Sequence, residues 1–149
     1  LATRAEPVVP EDAPVRHVYP PDWKGPKQKP HFRDLMGAIN GYTPISDVYL
    51  TIRPGMEAKP GTVIKMHGGV HGFDYQQYWD FEKPGPVHSY WQHGTMTLIA
   101  GGTPDKPIYI VPAGDGEVII DGYGCHNLFN LRSTDYLHFE NAKGDGPSF

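Results

Sequence analysis

The sequence predicts an all-β fold of short stacked strands, and three observations carry that expectation. First, the 149 residues include 18 Gly and 16 Pro, with only 20% charged, a composition suited to many short strands joined by tight turns rather than to a helical bundle. Second, a strand-and-turn unit recurs between Gly101 and Asn141 at a spacing of about twenty residues. Third, sliding its first strand pair onto its second sets Ile108 over Phe129, Ile110 over Leu131, Val118 over Leu137 and Ile120 over Phe139. A short solenoid explains this pattern, because each repeat must stack its apolar positions on the next to bury them. All eight residues are therefore expected to face one interior.

From the N-terminus, residues 1–30 contain seven prolines and almost no apolar period. They are expected to form an extended Pro-rich arm outside the core, disordered or laid across a partner. Phe32, Leu35, Met36 and Ile39 fall at i, i+3, i+4 and i+7, a short helix stopped by Gly41 and Pro44 that would cap a sheet end. Asp47 to Ile52 reads as a strand, with Arg53-Pro54-Gly55 as its turn. Residues 58–66 read as a turn feeding a second strand, and Gly68-Gly69 turns the chain again. An aromatic-rich insertion at 74–95 interrupts the pattern before strands resume at Thr97-Leu98-Ile99 and at 107–111, 117–121, 127–131 and 136–140. The domain expected to follow the arm therefore runs over 31–149 and contains the insertion.

Three segments carry a family resemblance: KPGTVIKMHGGVH, GTPDKPIYIVPAGDGEVIIDG and NLFNLRSTDYLHFENA. In this order they resemble the opening coils of right-handed parallel β-helix proteins of the pectate-lyase superfamily, closest to the branch of alginate lyases and chondroitinase B. The resemblance covers roughly residues 48–142 outside the insertion, and GTPDKPI with GDGEVIIDG is its most specific part. It implies the N-terminal coils of a right-handed parallel β-helix in a secreted or periplasmic, lyase-like protein acting on polysaccharide, with calcium as the cofactor such enzymes use. Family enzymes are much longer, and their catalytic basic residues and calcium ligands lie on middle coils, so none maps onto a position here. The resemblance thus implies a fragment, or a subunit whose β-helix is completed by a neighbouring chain, that does not cleave polysaccharide by itself.

Charge and composition exclude some functions and leave others open. A formal charge of -4 and a pI near 6.0 offer no electrostatic reason for nucleic-acid binding, whose recognition usually needs a basic face. No apolar run reaches the roughly 20 residues of a membrane span, and the single Cys125 forms no internal disulfide.

Several constellations are candidates for chemistry. On the last strand, inward Leu137 and Phe139 send Tyr136, His138 and Glu140 to the opposite face, where His138 beside Glu140 suits acid–base catalysis or simply forms a solvated strand face. His67 and His71 are candidate metal ligands, with His88 and His93 around the insertion, but Gly68-Gly69 makes a turn where the i, i+4 spacing needs a helix. Hydrogen-bonding or surface histidines are the favoured reading. Asp105, Asp115, Asp121 and Asp135 occupy turns, where Asp beside Gly serves turn geometry more often than calcium. In the insertion, Trp79, Trp91, Tyr75, Tyr78 and Tyr90 could stack on sugar rings, anchor a partner protein, or form a satellite core. The competing function is accordingly a non-catalytic structural or accessory subunit that binds partner proteins through its arm and insertion.

Overall fold

The computed structural model describes residues 11–46, 49–52, 55–72, 96–121, 128–131 and 134–140. In chain order the elements are β1 (Val15–Val18), β2 (His31–Phe32), α1 (Leu35–Asn40), β3 (Tyr42–Ser46), β4 (Tyr49–Ile52), β5 (Val63–Met66) and β6 (Gly69–Gly72). They continue with β7 (Met96–Leu98), β8 (Ile108–Pro112), β9 (Val118–Asp121), β10 (Phe129–Leu131) and β11 (Leu137–Phe139). Five strands form one parallel sheet in the order β11-β8-β5-β1-β2. Two smaller parallel sheets pair β6 with β9 and β7 with β10, while β3 and β4 form an antiparallel pair.

The register explains the packing. Arg16, Ile64, Ile110 and Phe139 share one cross-strand row, and Val18 and Met66 share the next row on the same face. Ile64, Met66, Ile108, Ile110 and Val18 are fully buried there, together with Leu98 of β7, Val118 of β9, and Leu35, Met36, Ala38 and Ile39 of α1. Strands from three sheets and the helix therefore share one core.

Local chemistry sets the helix bounds. Asp34 is extended at φ -147 and ψ 168, and its carboxylate accepts from the Gly37 N–H at 2.6 Å, a side-chain N-cap. Gly41 ends the helix in the left-handed region at φ 79, where its N–H reaches the Gly37 carbonyl. All six residues of α1 are buried, so the helix is a core element and not an amphipathic lid.

Three expectations are corrected. The fold is mixed: α1 sits inside the core, one strand pair is antiparallel, and no closed β-helix or solenoid is shown among the described residues. The recurring unit also has a different phase. Ile108 lies beside Leu137 and Ile110 beside Phe139, not beside Phe129 and Leu131, while Phe129 lies beside Met96. The physical reason is that each of these strands pairs with one three strands away, β8 with β5 and β11, β9 with β6 and β10 with β7, so a two-strand repeat read along the chain is out of phase with the pairing. Of the eight residues expected to face one interior, Leu131 departs, being 55% exposed, whereas Ile120, Phe129, Leu137 and Phe139 are partly buried and pack against the core that contains Ile108, Ile110 and Val118.

The remaining correction concerns the extended arm. Residues 15–18 form β1, inserted between β2 and β5, with His17 opposite both His31 and Lys65. Arg16 donates to the Ala38 carbonyl at 2.8 Å and the Glu57 carbonyl at 3.2 Å, and its guanidinium lies 5.0 Å from the Phe32 ring. A short Val-Arg-His-Val strand between prolines lacks the length for a periodic signal, but in the sheet both its edges are paired.

Candidate functional site

The face of the five-stranded sheet opposite the core concentrates its ionisable side chains. One cross-strand row carries Val15, Val63, Tyr109 and His138, and the next carries His31, His17, Lys65 and Val111. The Glu140 N–H donates to the Ile110 carbonyl, which continues that second row past Val111. Beyond it lie Tyr19 and His67, because the His67 N–H donates to the Val18 carbonyl.

Within this face, Asp115, His67 and His17 form a chain of hydrogen bonds. His67 Nδ1 lies 2.6 Å from Asp115 Oδ2, and His67 Nε2 lies 2.9 Å from His17 Nδ1. With both rings neutral, the carboxylate takes the hydrogen on His67 Nδ1, so Nε2 accepts from His17 Nδ1 and leaves His17 Nε2 with the free lone pair. Both histidines are buried. Tyr19 stacks on His67 at a centroid distance of 3.9 Å and 11°, and Trp23 tilts against the same ring at 5.3 Å.

Glycine makes this approach of two turns feasible. Asp115 stands between Gly114, at φ 92, and Gly116 in the turn after β8. A Cβ on Gly68 would lie 2.5 Å from the Gly116 Cα, so only glycine at 68 lets the turns after β5 and β8 meet. Their contact also aims the Gly68 N–H at Asp115 Oδ1, 2.8 Å away. Burial alone would oppose ionisation of Asp115, but the hydrogen bonds from His67 and Gly68 prevail and hold its pKa below the ordinary value.

Burial first, then the neighbouring His67, Lys65 and His31, lowers the pKa of His17 from its ordinary 6.5. Burial also lowers that of His71, although the bond to the His67 carbonyl opposes the shift. A histidine with a depressed folded pKa takes up its proton more readily when unfolded. Its stabilising contribution is thus complete above about 6.5 and is lost as pH falls through the folded value. The melting temperature should therefore fall between pH 7.5 and pH 5, and His17→Gln should flatten that fall. Equal slopes for the variant and the parent would refute a role for His17.

The second group is on β11. His138 Nδ1 lies 3.5 Å from Glu140 Oε1, and the His138 ring meets the Tyr109 ring edge-on at 5.5 Å and 82°. The His138 side chain is 36% exposed and that of Glu140 only 7%, so the carboxylate is the more buried partner of this ion-pair contact. The structure thus brings His138 and Glu140 together on the face expected from strand alternation.

It does not bring His67 and His71 together as metal ligands. His67 uses both ring nitrogens on Asp115 and His17, and His71 Nε2 bonds the His67 carbonyl at 2.6 Å. No cluster of three or more metal-ligating side chains occurs among the described residues. Trp79, Trp91, Tyr75, Tyr78 and Tyr90, together with His88 and His93, lie outside the described residues. Sequence reasoning missed His17, which it assigned to the arm, and placed Asp115 only in a turn. The Gly-Asp-Gly run was the available signal for Asp115, but its partner is 48 residues away.

No known family model, curated protein or solved structure matches the chain. The resemblance to the lyase superfamily thus gains no support from these comparisons. No helix among the described residues is long and apolar enough to cross a membrane.

Proposed function

We propose that this chain belongs to a secreted or periplasmic polysaccharide-active, lyase-like protein, and that its five-stranded sheet presents a binding face for an acidic polysaccharide. One observation carries the reading: the row of His31, His17, Lys65 and Glu140 lies between His67, which is bonded to Asp115 and His17, on one side and His138, beside Glu140, on the other. A cation beside a uronate carboxylate neutralises its charge, and an oriented imidazole can take the adjacent C–H proton as the glycosidic C–O bond breaks and a C=C bond forms. The leaving oxygen then needs a proton, which Tyr109 or a second imidazole can donate. Five strands span only about 19 Å across the sheet, a short track for a polymer. Binding without turnover is therefore the behaviour expected of the isolated chain.

Titration calorimetry with alginate, chondroitin and polygalacturonate, with and without calcium and with dextran as the neutral control, tests this. Acidic polymers should bind and dextran should not, Lys65→Ala should weaken binding severalfold, and absorbance should reveal no unsaturated product. If none of the acidic polymers binds, or dextran binds equally well, the reading is wrong. Product formation lost in His138→Ala would instead make the isolated face catalytic.

A further inference from the structure

We propose that residues 23–33 are a preorganised docking strip for the acidic polysaccharide, an assignment that rests on the function proposed above and gives it a location. The run Trp23-Lys-Gly-Pro-Lys-Gln-Lys-Pro-His-Phe-Arg33 holds four of the thirteen Lys and Arg residues and neither Asp nor Glu, in a chain of formal charge -4. Lys24, Lys27, Lys29, His31 and Arg33 are all exposed. Of the flanking carboxylates, Asp34 is engaged as the N-cap of α1, while Asp22 acts electrostatically on His71.

A basic, proline-containing loop with no partner usually samples many shapes, and its cations then act as separate, screened charges. This loop is tied at several points. The Trp23 N–H donates to the Pro20 carbonyl at 3.1 Å, the Trp23 indole N–H to the Pro26 carbonyl at 3.2 Å, and the Gln28 N–H to the Tyr19 hydroxyl at 2.7 Å. Tyr19 is itself clamped between elements: its ring lies 5.1 Å from Trp23 and 3.9 Å from His67, and Lys27 sits 5.8 Å from its centroid. The strip's backbone is therefore held on one path, with Lys27 placed over the Tyr19 ring, which reduces the backbone ordering cost of meeting a polyanion. It ends in β2, where His31 opposite His17 joins it to the row that contains Lys65.

Exposed cations on a tied backbone, with one partly exposed indole, suit a chain of sugar carboxylates, where charge gives affinity and the ring can stack on a pyranose face. The full chain and the variant Lys24→Gln/Lys27→Gln/Lys29→Gln/Arg33→Gln would be titrated with polygalacturonate between about 50 and 300 mM salt, where the Debye length contracts. The parent should lose affinity as salt rises. The variant should bind at least tenfold more weakly at low salt, depend little on salt, and melt at the parent's temperature. A second variant, Lys24→Glu/Lys29→Glu, alters only exposed residues and should show the same loss even if the quadruple change destabilises the fold. If the parent binds and both variants bind equally well, the strip is not the site, although the function reading survives. If the parent binds no acidic polysaccharide, both fall. Equal or tighter binding of single-stranded DNA would overturn the choice of ligand.

Discussion

Deleting residues 1–30 should abolish cooperative unfolding of this domain. The deletion removes β1, which pairs with β5 through four residue positions and with β2 through two, and so splits the five-stranded sheet. It also removes Val18 and Tyr19 from buried positions, with about 1.5–3 kcal/mol at stake for each large side chain. Each ladder hydrogen bond lost costs roughly a further 1 kcal/mol. Those losses together approach the 5–15 kcal/mol, roughly, that typically holds a whole domain folded. Circular dichroism during heating decides the matter. An unchanged melting transition would return the segment to the role of an external arm.

Ile110→Ala should be among the most damaging single substitutions in the core, at about 2–5 kcal/mol. Ile110 is fully buried, with Ile64 on one side and Phe139 on the other in the same cross-strand row, so truncation leaves a cavity bounded by two strands that cannot close in. Ile120→Ala should cost less, on the order of 1 kcal/mol, because Ile120 is only partly buried at the margin of the core. Urea denaturation of both variants ranks them, and a larger loss for Ile120→Ala would show that the core is centred elsewhere.

Segments whose conformation is set by their immediate neighbours were legible in the sequence. The stop at Gly41, the strands at 63–66, 108–112, 118–121 and 137–139, and the placing of His138 and Glu140 on the face opposite Leu137 and Phe139 all follow from period, turn residues and capping. The start of the helix was read one element too early, since Phe32 fits a helical spacing but is used by β2.

Long-range pairing was not legible, and it decides the rest. Alternation of apolar residues specifies which face of a strand is buried, but it carries no information on which other strand lies alongside. Thus the sequence reading stacks β8 on β10 and β9 on β11, whereas the structure pairs β8 with β11, β9 with β6 and β10 with β7. The four residues of β1 are too few to produce a period, and only pairing on both edges makes them a strand. The candidate site has the same origin. His17, His67 and Asp115 are separated by 50 and 48 residues, and they meet because β1 and β5 pair and because Gly68 and Gly116 let two turns touch. The sequence alone determined the local strands, turns and helix stop, which depend on neighbours a few residues away. Only the tertiary structure decided the sheet order and the hydrogen-bonded histidines, because those depend on contacts between residues whose separation along the chain leaves no periodic trace.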